Sequence, residues 1–263
     1  MINTIYIEDE IADHPRTKKL IKRFPSATII SCTRYTEIFN RKSQNFRLQK
    51  KNPALILAKK YKGMVLPTPK HYGIGAKYNY YFSHMLNCIY DCRYCFLQGM
   101  FRSAHYILFV NYEDFIDEIN STLNKHASDN VHFFSGYDCD SLALDSVSNF
   151  ISDFLPFFEN HQNTLIELRT KSTQIKSLLQ RSSISNCIVA FSFTPNEIAK
   201  ALEHKTPSVS KRLEAIIELQ KAGWKIGLRF DPLIYTKTFT KEYNELFDNI
   251  FSKIDPQLVH SVS

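Results

Sequence analysis

The sequence predicts an α/β protein: a partial, TIM-like (β/α)6 barrel preceded by a small N-terminal α/β segment. Three observations carry that prediction. Six short β-branched or aromatic runs, of the kind that become buried parallel strands, are spaced along residues 79–263. Apolar stripes of helical period fall between them. Strand–helix–strand order then implies right-handed parallel units. Six strands stop short of the eight that close a barrel.

Residues 4–58 read strand, helix, strand, helix, strand, which gives a first domain over 1–75 and a barrel over 76–263. The barrel strands are 79-NYYFSHM-85, 131-VHFFS-135, 164-TLIEL-168, 187-CIVAFSF-193, 224-WKIGLRF-230 and 257-QLVHSVS-263. After the first of them, Tyr112, Phe115, Ile116, Ile119 and Leu123 form an apolar stripe entered through Asn111 as N-cap, with Asp114 three residues on. Val147, Phe150, Ile151, Phe154, Leu155 and Phe158 form a second stripe, and Ile175, Leu178 and Leu179 a short third. Val209, Leu213, Ile216, Ile217 and Leu219 form another, stopped by Gly223. No helix follows the last strand. An unfinished barrel would expose a strand edge, so the expectation is a fragment of a longer protein, or a chain that needs another to cover it.

Composition narrows the class. The 263 residues are 44% hydrophobic, 13% aromatic and 22% charged, a globular profile with a sizeable core. Lys and Arg exceed Asp and Glu by 33 to 26, which suits an anionic partner, with DNA the candidate, or simply a solvated basic surface. The excess concentrates at 16-RTKKLIKR-23, 47-RLQKK-51 and 59-KKYK-62. The start, MINTIYIEDE, lacks the apolar core of a signal peptide, and 54-ALILA-58 is too short to span a bilayer. A cytoplasmic address without a membrane partner is expected, and there clustered cysteines point to metal or catalysis rather than disulfides.

The segment 87-NCIYDCRYCF-96 holds such a cluster: Cys88, Cys92 and Cys95. Their spacing also suits one buried helix face, but the segment follows a strand and carries Asn87, Asp91 and Arg93. A structural zinc site needs a fourth ligand, which Cys32, Cys139, Cys187 or a histidine could supply. Three thiolates on a four-iron cluster instead leave one iron open for a small molecule. CxxxCxxC with an aromatic before the last cysteine, here Tyr94, is the signature of the radical S-adenosylmethionine enzymes, and it stands at the barrel mouth where active sites lie.

Further segments widen the likeness. With 83-SHMLNCIYDCRYCFLQ-98, 137-YDCDSLALD-145, 167-ELRTKS-172, 191-FSFTP-195 and 226-IGLRFDPLI-234, the chain resembles the spore photoproduct lyase family, radical enzymes that repair thymine dimers in spore DNA. The resemblance implies a 4Fe–4S cluster on Cys88, Cys92 and Cys95, with S-adenosylmethionine on its open iron. It implies that Lys171 pairs with the cofactor carboxylate and Ser192 donates to it, that Tyr94 lies near the adenine, and that Ser135 and Gly136 lie near the methionine end. An electron donor such as flavodoxin or ferredoxin follows from the chemistry. Glu203, His204, Lys205, Arg229 and Asp231 are charged groups at the mouth to which no role is assigned.

Two positions depart from the family. Its cysteine hydrogen-atom donor is matched here by Tyr137, and Cys139, two residues on, would lie about 7 Å away in an extended segment. A family tyrosine that assists the donor is matched by Phe96. Three readings stay open: a radical enzyme of this family with an unassigned substrate, dimer repair with Cys139 or Tyr137 as substitute donor, and a zinc-stabilised nucleic-acid-binding module.

Overall fold

Hydrogen-bond pairing sorts the strands into two open sheets and one short ribbon, in a computed structural model that describes residues 2–127 and 129–263. In chain order the strands are β1 (Thr4–Glu8), β2 (Thr28–Cys32), β3 (Leu55–Ala58), β4 (Leu66–Pro67), β5 (Tyr78–Phe82), β6 (Met85–Leu86) and β7 (Asp91–Cys92). They continue as β8 (Tyr106–Phe109), β9 (Val131–Ser135), β10 (Thr164–Thr170), β11 (Cys187–Ser192), β12 (Glu203–His204), β13 (Lys225–Arg229) and β14 (Val259–Val262).

The larger sheet runs β14-β13-β11-β10-β9-β5-β4. All six expected barrel strands are in it, parallel and in the expected order, with β4 added antiparallel to β5. Its end strands do not pair with each other, so the barrel is incomplete. Strands β9 and β11 are buried along their whole length, which is why their sequences are continuous apolar runs.

The smaller sheet runs β2-β1-β3-β8-β6. It is not confined to residues 1–75: β8 pairs parallel with β3, and β6 pairs antiparallel with β8. One apolar cluster, from Ile5 to Ile254, runs through both sheets.

The expected helices form with local differences. Tyr112–Lys125 buries Tyr112, Phe115 and Ile119. Asn111 precedes it but does not cap it. Its amide donates to Asp114 and to the Lys60 carbonyl (both 2.8 Å) and accepts the Lys60 N–H, so it ties the helix to the end of β3. The stripe from Val147 to Phe158 breaks at Asn149 (φ 55°) into Asp145–Ser148 and Phe150–Glu159. Val209–Lys221 is capped by Ser208 and leaves through Gly223 at φ +82°, a conformation glycine adopts freely. The helices Asn196–Leu202 and Phe239–Phe251 and the strand β8 were not anticipated.

Part of the basic N-terminal charge is internal. Arg16 bonds Asp153 (3.0 Å) and lies 4.1 Å from the Tyr112 ring centroid, pinning the helix Pro15–Ile21 to its neighbours. Among the described residues no helix is long and apolar enough to cross a membrane.

Candidate active site

The cysteine loop leaves β6 and is gripped from two sides. From the smaller sheet's side, the buried Lys50 donates from Nζ to the carbonyls of Cys88 (2.7 Å) and Tyr90 (3.0 Å). Arg47 donates to Asp91 (3.1 Å) and Gln98 (3.2 Å). From the barrel side, β12 pairs antiparallel with β7, setting Glu203 against Cys92, and Arg93 N–H donates to the Leu202 carbonyl (2.8 Å). Multiply bonded backbone holds the thiols at fixed places, as a preorganised site requires.

Glu203 is the centre of the barrel-side grip. Its buried carboxylate accepts from Tyr94 Oη, from Arg212 Nη2 and from Thr194 Oγ1 (3.0 Å), and Lys171 Nζ lies 3.8 Å away. Burial alone would push this carboxyl up, but Lys171, Arg212 and the hydrogen bonds outweigh it and hold it below its usual 4.5. The Lys171 ammonium also sits 5.6 Å from the Tyr94 ring centroid. Glu203 thus orients two residues expected to meet the cofactor. Its sequence neighbourhood gave no sign of this, because its partners are 9, 32 and 109 residues away.

Beyond β9 the chain turns sharply. Gly136 has φ +74°, and a Cβ there would lie 2.5 Å from Ser141 Oγ and 2.9 Å from its nitrogen, so only glycine fits. Asp140 then staples the turn to the end of β10. Its carboxylate accepts from Leu142 N–H (3.0 Å), Ala143 N–H (2.9 Å), Thr170 Oγ1 (2.7 Å) and Lys171 N–H (2.7 Å).

The segment carrying Tyr137 and Cys139 is therefore a turn, closed by Cys139 N–H to the Gly136 carbonyl (3.3 Å), and the 7 Å separation of an extended chain does not apply. Cys139 is buried, and burial above all pushes its thiol well above the ordinary 9.0, which holds it as S–H. Tyr137 packs by its ring against Tyr81 (4.3 Å), Phe96 (5.8 Å) and Tyr72 (6.1 Å). Tyr137 and Phe96, the two positions at which the sequence resemblance implied a change, thus lie side by side.

A cavity of about 370 Å³ joins these parts. Cys88, Cys92, Cys95, Tyr94, Ser135, Gly136, Lys171 and Ser192 line it, together with Tyr137 and Cys139. Sequence reasoning left out Lys50, Tyr72, Asp140 and Arg169, which line it too. Cys32 and Cys187 are buried in β2 and β11 and are not part of the lining. Of the unassigned charged residues, Arg229 and Asp231 reach the cavity. Arg229 is fixed to Glu167 through two hydrogen bonds (3.2 and 2.6 Å).

All three thiols line the cavity, and among the described residues no group of three His, Cys, Asp or Glu side chains is placed to hold a single metal ion. Three thiols spread over a cavity wall fit a four-iron cube, which takes one thiolate at each of three separate irons.

Residues 1–263 match the family model described as spore photoproduct lyase. The spore photoproduct lyase of Bacillus subtilis (strain 168) is 22% identical over 264 residues, covering 98% of this chain and 75% of that protein. That of Clostridium acetobutylicum is 23% identical over 177 residues, covering 67% of this chain and 53% of its own. A solved spore photoproduct lyase double mutant with bound AdoMet and dinucleoside spore photoproduct superimposes with a TM-score of 0.85 at 18% identity, over 97% of this chain and 75% of that one. A tyrosine-to-phenylalanine mutant superimposes equally well, at 20% identity.

Proposed function

The chain belongs to the spore photoproduct lyase family, a radical S-adenosylmethionine family, and from that premise we propose that its cavity cleaves S-adenosylmethionine reductively and acts on a nucleic-acid substrate. One observation carries the proposal. The three cysteines, the five residues expected to hold the cofactor and both candidate donors line a single cavity.

Cys88, Cys92 and Cys95 would hold the 4Fe–4S cluster, and Lys171 and Ser192 the cofactor carboxylate. When bound, the cluster and S-adenosylmethionine supply a 5′-deoxyadenosyl radical, given one electron from a small donor such as flavodoxin or ferredoxin. The chain's own residues then do three things. Lys171, aimed by Glu203, neutralises the carboxylate through a charge-assisted bond. Tyr94, fixed through its hydroxyl, offers a ring face to the adenine. The aromatic wall of Tyr72, Phe96 and Tyr137 receives the substrate base by stacking.

Where the substrate radical ends is the point of divergence. Repair of the spore thymine dimer needs a thiol at the position that Tyr137 fills, and a displacement of ~1 Å can cost on the order of a hundredfold in rate. We expect cofactor cleavage without efficient dimer repair. The experiment is to incubate reconstituted protein with reductant, cofactor and a dimer-containing dinucleotide, and to quantify 5′-deoxyadenosine and thymine products separately. Deoxyadenosine without thymine, with repair raised by Tyr137→Cys, supports this reading. Stoichiometric repair that Cys139→Ala abolishes would overturn it and make Cys139 the donor.

A further inference from the structure

The inner wall of the cavity carries a charge imbalance that the cofactor chemistry does not use. Strand β10 points Glu167 and Arg169 to the same side, two residues apart. Glu167 is fully buried and saturated: Arg229 donates to it from Nε (3.2 Å) and Nη2 (2.6 Å), and Arg169 from Nε (3.1 Å). Gly227 makes this possible, since a Cβ there would lie 2.9 Å from Arg229 Nη2.

Two guanidinium groups therefore share one carboxylate. Arg229 spends its remaining N–H groups on the Leu228 and Ser261 carbonyls and on Ser261 Oγ. His132, beside them and buried, adds no negative charge and stays neutral, with burial pushing it down to about 4. Arg169 differs. Its side chain is 28% exposed, it lines the cavity, and neither Nη atom has a hydrogen-bond partner among the described residues. Its guanidinium carbon stands 5.3 Å from the Tyr72 ring centroid, and Tyr72 packs edge-on to Phe134 (5.1 Å) and Tyr137 (6.1 Å).

We infer that Arg169 is the anion anchor of the substrate, taking a phosphate group of a nucleotide whose base lies on the Tyr72–Tyr137 aromatics. The inference rests on the proposed nucleic-acid substrate and makes it specific. A guanidinium held through Nε keeps both Nη groups free for a forked contact to two phosphate oxygens, which an ammonium cannot reproduce. The other acidic groups of the lining leave it free: Asp140 is committed to its four donors, and Asp231 accepts from Ser263 Oγ (2.9 Å). A phosphate beside a stacked base is the ordinary footprint of single-strand recognition.

The test is equilibrium binding to the reconstituted protein with S-adenosylmethionine present. The probes are dithymidine joined by a phosphodiester, its neutral methylphosphonate analogue, thymidine 5′-monophosphate and thymidine. A charged probe should bind about ten- to a hundredfold more tightly than its neutral partner, the worth of a charge-assisted contact. Arg169→Met should abolish that preference, and Arg169→Lys should keep only part of it. Preference in the diester pair assigns the phosphate to a strand, and preference in the monophosphate pair alone assigns it to a mononucleotide. Either supports the anchor if Arg169→Met removes it. Equal binding of charged and neutral probes, no measurable binding of any charged probe, or a preference that survives in Arg169→Met overturns it. Deoxyadenosine formed by the same preparation reports separately on the radical chemistry, so failure of one reading is not failure of the other.

Discussion

The two sides of the cavity are built differently. On the cofactor side, buried polar groups are bonded several times over: Glu203 gathers Tyr94, Thr194, Arg212 and Lys171, Asp140 gathers four donors, and Lys50 bridges two carbonyls. On the substrate side, Tyr72, Phe96 and Tyr137 meet only through ring edges and tilted faces, and Phe96 is 54% exposed. A satisfied polar network tolerates almost no substitution, whereas half-exposed rings exchange at little cost. On the proposed reading, radical generation can thus stay fixed while the substrate wall diverges, and Tyr137 and Phe96, the two positions that the sequence resemblance singled out, lie on that wall.

The contrast is broken most severely at the cysteines. Cys92→Ala should lose the cluster and all deoxyadenosine formation, whereas Tyr137→Phe should retain its iron in full; iron counting on both decides it. Next comes Glu203→Gln. It leaves Arg212 buried without its counter-charge and should cost about 3–5 kcal/mol in denaturant unfolding, with weaker S-adenosylmethionine binding as Lys171 and Tyr94 lose their guide.

The third test uses pH. His132 lies under the substrate wall, stacked on Phe134 (4.2 Å), with neither ring nitrogen bonded. Burial lowers its folded value from 6.5 to about 4, so the unfolded chain takes the proton first. Its contribution to stability is complete above pH 6.5 and is lost as pH falls towards about 4, on the order of 3 kcal/mol in all. His132→Phe should flatten that slope in unfolding curves taken between these pH values. The smallest effect belongs to Phe96→Tyr, which should change stability by less than about 0.5 kcal/mol, since the ring stays half in solvent. A larger loss would show the substrate wall to be as tightly built as the cofactor side.

Legibility in the sequence followed the same division, for a physical reason. The six barrel strands were readable because each is a short β-branched or aromatic run, buried along its whole length in β9 and β11, and the thiols because their spacing is local. Lys50 was not: within 47-RLQKK-51 it reads as surface charge, and only the fold brings it to the Cys88 carbonyl, 38 residues on. Glu203 was hidden likewise, in a two-residue strand whose partner β7 lies over a hundred residues earlier. Strand β8 has an apolar sequence, YILF, but its partner β3 is about fifty residues upstream and nothing nearby announces the pairing. The helix Phe239–Phe251 did carry a signal in Tyr243, Leu246 and Ile250, spaced three and four apart.

The interleaving of the sheets bears on how the chain is made. Strand β3 is fully buried between β1 and β8, yet β5 is synthesised before β8 and belongs to the other sheet. A nascent chain that has emerged only through residue 75 carries β3 with one bare edge. The ribosome must deliver residues up to 109 before that edge closes, and the cysteine loop emerges within this interval. Pulling force on stalled nascent chains should therefore rise only once β8 has cleared the exit tunnel, not when the first three strands have.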